Sequence, residues 1–117
     1  MKNIVITVSA KTSDIKTSSP ILAIKGEHLQ TQAVVEFSDE FVDGTATLEY
    51  KKKSGTKGSL PLTKNGEVYT ASVTSAVTDE APEIKCQVKV VQATTAQGTP
   101  IFKSKTFQMK ICDCIDE

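Results

Sequence analysis

A chain of 117 residues is long enough to bury the core of one domain without disulfide support, and a single domain over 1–117 is expected. Fourteen cations balance fourteen acids, so no net field draws the chain onto nucleic acid or an anionic membrane surface. Every cation is a lysine, and a chain without arginine lacks the planar fork that grips guanine or phosphate at two points, which argues against sequence-specific DNA recognition. A content of 38% hydrophobic and 24% charged residues belongs to a folded chain, and no stretch approaches the roughly 20 apolar residues of a membrane span.

The opening "NIVITVSA" alternates, with Ile4, Ile6 and Val8 on one face and Val5 and Thr7 on the other. Thr7 and Ser9 interrupt its apolar run before the roughly 7 to 15 residues of a secretory signal, so it reads as a strand near 3–9, and synthesis in a cytoplasm is expected. Polar "SAKTSDIKTSSP" at 9–20 reads as a mobile loop, followed by a strand near 20–25. In "LQTQAVVEF", Leu29, Ala33, Val35 and Phe37 oppose Gln30, Gln32 and Glu36, which predicts a strand over 29–37. Asp43-Gly44 marks a turn before "TATLEYKKK", where Ala46, Leu48 and Tyr50 face inward over 45–53.

Gly-rich "SGTKG" leads to a hairpin in which strands near 58–63 and 67–74 flank Asn65-Gly66, a pair suited to positive φ at both centres of a type I′ turn. "IKCQVKVV" buries Ile84, Cys86, Val88 and Val90 in a strand over 84–93. The last strand, 100–111, is out of phase with itself: Phe107, Met109 and Ile111 share a face with Lys103 and Lys105, so a bulge near Ser104 or a projecting end is expected. Pro20, Pro82 and Pro100 stand before β-rich runs, and no window of 12 residues carries the spacing of an amphipathic helix. About eight strands, each apolar on one face, predict an all-β fold, an antiparallel β-sandwich of Ig-like or jelly-roll-like type, with 111–117 a frayed tail.

Residues with chemical potential are few. Three cysteines make a poor disulfide framework and are expected to be reduced. Cys86 falls on a core face, whereas Cys112 and Cys114 fall together on the outer side of the last strand. A structural zinc needs about four ligands and a low-pKa redox thiol favours a helix N-terminus; this pair offers neither, so no metal, cofactor or redox role is assigned to it. His28, the single histidine, has no recognisable nucleophile motif to serve and reads as a turn residue. The acids of "SDEFVD" and "TDEAPE" lack calcium-loop spacing and read as solvated loop acids. Lys51, Lys52, Lys53 and Lys57 form a basic turn that, without aromatic stacking partners, reads as protection of a strand edge before it reads as a phosphate or glycan site. No catalytic residue emerges.

Across "IKGEHLQTQAVVEFSDEFVDGTATLEYKKKSGTKGSLPLTKNGEVYTASV" and "TPIFKSKTFQMKI", the chain resembles the N-terminal domain of upper baseplate and tail-fibre proteins of tailed phages of Gram-positive bacteria. The similarity lies in the G-E-H lead into a strand, the "LEYKKKSG" hairpin, the "Y-T-x-x-V" strand and the closing "TPIFKSK" strand. The resemblance implies a non-enzymatic β-sandwich located in the virion, assembling with other tail or baseplate proteins, and usually a homo-oligomer in the particle. Members of that family continue into a stalk and a host-binding head. This chain stops at "CDCIDE", as an adaptor standing free or as a piece lacking its stalk, so attachment is expected of it before receptor binding. The alternative is a carbohydrate-binding or Ig-like adhesion module, disfavoured because the chain has no Trp and both Tyr50 and Tyr69 fall on predicted core faces.

Overall fold

The computed structural model describes residues 2–112. Strands β1 (Lys2–Val8), β2 (Ile15–Thr17), β3 (Ile21–Ile24), β4 (Thr31–Phe37), β5 (Thr45–Lys52), β6 (Lys57–Pro61), β7 (Thr63–Asn65) and β8 (Val68–Ser72) precede a one-turn helix, α1 (Ser75–Thr78). Strands β9 (Glu83–Val91), β10 (Ile101–Lys103) and β11 (Phe107–Cys112) complete the chain. One sheet has the order β2-β1-β4-β8-β7; the other has β3-β11-β9-β5-β6, with β10 also beside β9. The two inner faces meet in a common core, where Ile6, Val8, Val35, Tyr69, Val88, Val90 and Ile111 lose all contact with solvent. This is the expected β-sandwich, and the inner faces read from the alternation of β1, β5 and β9 are the buried ones.

The sheets are mixed rather than wholly antiparallel as expected. β1 pairs with β4, and β3 with β11, in parallel. Both follow from one excursion: after β2 the chain crosses to the second sheet to form β3, then returns to run beside β1 in the same direction. The return passes through Gly26 at φ 86° and Leu29 at φ 59°. Leu29 therefore belongs to this connection and is 44% exposed, not on the inner face of β4 where its phase had placed it.

Eleven strands stand among the described residues where about eight were expected, for three local reasons. The supposed mobile loop at 9–20 contains β2, which pairs with β1. The run "SLPLTK" is divided at buried Leu62, β6 lying in the second sheet and β7 in the first. The last strand breaks where its phase fails: Lys103 faces Lys89 and Phe107 faces Cys86, four residues advancing against three. Ser104 is the inserted residue's neighbour in this bulge; it is buried, its N–H donates to the Val88 carbonyl, and its Oγ accepts the Val88 N–H at 2.9 Å. The hydroxyl thus replaces a carbonyl of the ladder.

The Asn65-Gly66 hairpin forms, shifted by one residue. Asn65 still pairs with Val68, so Gly66 and Glu67 are the turn, with positive φ at Gly66 alone. That is the requirement of type II′ rather than I′. β11 extends through fully buried Ile111 to Cys112, so the frayed tail cannot begin at 111; residues 113–117 lie outside the described residues.

The Asp43-Gly44 turn is fastened from the core. The Tyr69 hydroxyl donates to the Val42 carbonyl at 2.7 Å and accepts the Gly44 N–H at 3.0 Å, while Phe41 stacks on its ring. Burial pushes the Tyr69 phenol above its ordinary range, so it remains a donor at neutral pH.

Tyr69→Phe should lower stability by about 1–3 kcal/mol in urea melts, because the ring stays while a buried carbonyl and amide lose their partner. Ser104→Ala should cost a similar amount, about 1–3 kcal/mol, through the orphaned Val88 amide. Hydrogen exchange read by NMR should show that amide losing protection first.

Candidate functional site

Most polar residues singled out in the sequence are engaged in holding the fold. His28 lies in the return segment, and its Nδ1 accepts the Ser75 N–H at 3.0 Å, capping the start of α1. Glu27 accepts the Ile24 N–H and pairs with Lys2; these contacts, the amide foremost, hold its carboxyl below its usual range. Several acids of the two loops, though exposed, have definite partners. Asp39 accepts the Ala10 N–H at 2.8 Å and the Ser9 hydroxyl at 2.7 Å, and also takes the Glu40 amide. Asp43 pairs with Lys64, and Asp79 with Lys52. Among the described residues there is no group of three His, Cys, Asp or Glu placed to hold a metal.

Cys86 sits in the core, where burial pushes its thiol up to about 12. The expectation of reduced thiols is corrected at Cys112, which is disulfide-bonded; Cys114 lies outside the described residues.

The lysines of "LEYKKKSGTKG" are the exception. Glu80 takes both the Ser54 N–H and hydroxyl, at 3.1 and 3.0 Å, and Lys52 reaches Asp79 at 2.8 Å, so two acids pin the turn between β5 and β6. With the turn fixed, Lys51 of β5 stands directly opposite Lys57 of β6 on one side and Lys85 of β9 on the other. All three are exposed, and none takes part in an ion pair among the described residues. Strands about 4.8 Å apart place them in a single row across the outer face of the second sheet.

Of the three strands that carry the row, only β6 lies at a sheet edge; β5 and β9 are interior, so edge protection fits the position of Lys57 and not that of Lys51. Lys85 was not singled out in the sequence because it lies far along the chain from the basic turn, and its only signal was the outward phase of β9. Beside the row is a depression of about 390 Å³, bordered by Glu49, Lys51, Lys57, Lys85 and Gln87. Tyr50 packs inward over Gly58, where an added Cβ would meet its ring at 2.5 Å, so no aromatic platform accompanies the lysines.

The Asp39 carboxyl is held far below its ordinary value of 3.8, chiefly by the Ala10 amide and then by the Ser9 hydroxyl. A depressed folded-state value means the contribution to stability is full above about pH 4 and is lost as pH falls through and below 3.8. In urea melts from pH 6 down to pH 2, the wild type should lose stability with acidification more steeply than Asp39→Asn. The slope remaining in the variant reports the other depressed carboxyls, Asp14 and Glu27.

No family model matches this chain, and no curated protein matches it in sequence. Among solved structures it is similar to the N-terminal domain of phage TP901-1 ORF48, with a TM-score of 0.63 and 10% identity, covering 97% of this chain and 99% of that one. The resemblance read from the "LEYKKKSG" and "TPIFKSK" strands is thus accompanied by a likeness of fold, to a domain of a phage protein, that extends over nearly the whole chain.

Proposed function

We propose that this chain is a non-enzymatic structural module of a phage or prophage tail, located at the baseplate or fibre attachment point and working through protein–protein assembly. The observation that carries this reading is the end-to-end likeness to a phage domain, 97% of this chain against 99% of that one. The polar inventory supports it: His28, Glu27 and Asp39 are each occupied by backbone amides, which suits holding a shape better than turning over a substrate. In the particle the chain would contact other tail or baseplate proteins and further copies of itself, since tail components are built on rotational symmetry. The adhesion-module alternative finds less support, because Tyr69 is wholly buried and Tyr50 packs against Gly58, leaving neither ring to stack on a sugar.

Immunogold labelling of intact virions of the phage whose genome encodes the chain should decorate the distal end of the tail. Virions left bare, with the protein recovered only from the soluble lysate, would overturn the reading.

A further inference from the structure

The outer face of the second sheet has an arrangement that its own stability does not call for. Like charges directly opposite one another across a strand pair are destabilising. Here Lys57, Lys51 and Lys85 follow one another across three strands, and Lys103 of β10 stands opposite Lys89 of β9 on the same face. Lys89 has partial relief from Glu49 at 3.8 Å; the row of three has none among the described residues. With Lys110 opposite Glu83, this face carries six lysines against two acids, in a chain whose total charge is zero. The outer face of the first sheet is balanced by contrast: Val5, Val34, Thr70 and Thr63 cross it in register, and its Lys16 and Glu36 stand on either side of Thr7.

We infer that the Lys57-Lys51-Lys85 row is a docking surface for a partner protein that presents a matching row of carboxylates. This names the partner chemistry of the assembly reading and rests on it. Three features select a protein over a continuous polyanion. The chain has no arginine for two-point phosphate contacts, and no aromatic ring lies outward beside the row for a base or sugar. Glu49 and Glu83 border the row, two residues along β5 from Lys51 and two along β9 from Lys85. A phosphate chain running along the strands would meet those acids, whereas carboxylates confined to one row meet only lysine. Gln87 and Gln108, whose amide nitrogens donate to the Ser104 carbonyl and to Glu83, give the row a neutral polar border, as the rim of a protein interface does.

The cost of the row is borne by the free chain and returned on docking, so binding and stability should move in opposite directions. The test uses the full chain, a fluorescent deca-glutamate peptide as probe, and linear polyphosphate of equal charge as competitor. Saturable peptide binding is expected, weakening from 50 to 300 mM salt. The double variant Lys51→Gln/Lys85→Gln should bind about tenfold or more weakly. A control double variant of lysines away from this face, Lys11→Gln/Lys16→Gln, should bind as the wild type does. The row variant should also melt higher by roughly 1 to 5 °C, which shows that it folds and that the row is a strain in the free chain. Absent or non-saturating peptide binding, retention of binding in the row variant, or a lowered melting temperature would overturn the inference. So would polyphosphate competing at or below the peptide's own concentration, since the surface would then be a general anion site. Tail decoration by immunogold without peptide binding would sink this inference alone, and peptide binding without tail decoration would sink the virion assignment while leaving an acid-binding surface.

Discussion

Every long strand in this chain is apolar on one face only, and that single constraint fixes the rest. A half-apolar sheet must be covered, and here the cover is a second sheet of the same kind. Because side chains alternate strictly, the choice of buried face also fixes register: slipping β5 by one residue would carry Lys51 and Glu49 into the core beside Val88 and expose Leu48. The outward residues are therefore held in place by the inward ones. The lysines stand in a row because Leu48, Leu60, Ile84 and Val88 have already set the alignment of β5, β6 and β9.

The same constraint accounts for the irregularities. Closing two sheets from one chain requires the chain to change sheets, and two of the changes carry a visible local device: Gly26 and Leu29 at positive φ carry β3 to β4, and buried Leu62 carries β6 to β7. Within the second sheet, the Ser104 bulge lets β10 and β11 share the flank of β9. Outermost strands are short, three residues in β2 and β7, which limits the backbone offered to a stray strand. On β3 the Leu22 carbonyl and the Ile24 amide are taken by the side chains of Thr31 and Glu27. These edges therefore offer little free backbone for a further strand to pair with.

What the sequence made legible was whatever depends on neighbours two residues apart. The inner faces of β1, β5 and β9 could be read directly, and of the two explanations open for the failure of phase at Lys103 and Lys105, a bulge near Ser104 or a projecting end, the register shows the bulge. What stayed hidden depends on partners distant in the chain. β2 is three polar-flanked residues that become a strand only because β1 offers an edge. Parallel pairing of β1 with β4 leaves no local trace, since alternation is the same in either direction. The one-residue shift of the Asn65-Gly66 turn is set by Asn65 pairing with Val68, a choice the dipeptide alone does not make. Asp39 looked like a loop acid because its donors, Ser9 and Ala10, directly follow β1, distant in the chain and brought near only by the pairing of Val8 with Phe37. The basic turn was visible, but its third member, Lys85, arrives by sheet register.

A likeness of fold at 10% identity bears on where specificity can be written. Inner faces need only be apolar, of suitable volume and in phase, and many sequences satisfy that. They preserve the sandwich while the residues drift. Outer faces are limited by solubility and by whatever they touch, so a costly pattern there calls for a cause outside the chain. Neutral threonine or glutamine would serve an isolated sheet better than three facing lysines, and such residues do line the outer face of the first sheet at Thr7, Gln32 and Thr70. The contrast between the two outer faces, one balanced and one crowded with a single sign of charge, is accordingly the part of this molecule that its fold does not explain. A partner bearing the opposite charge does.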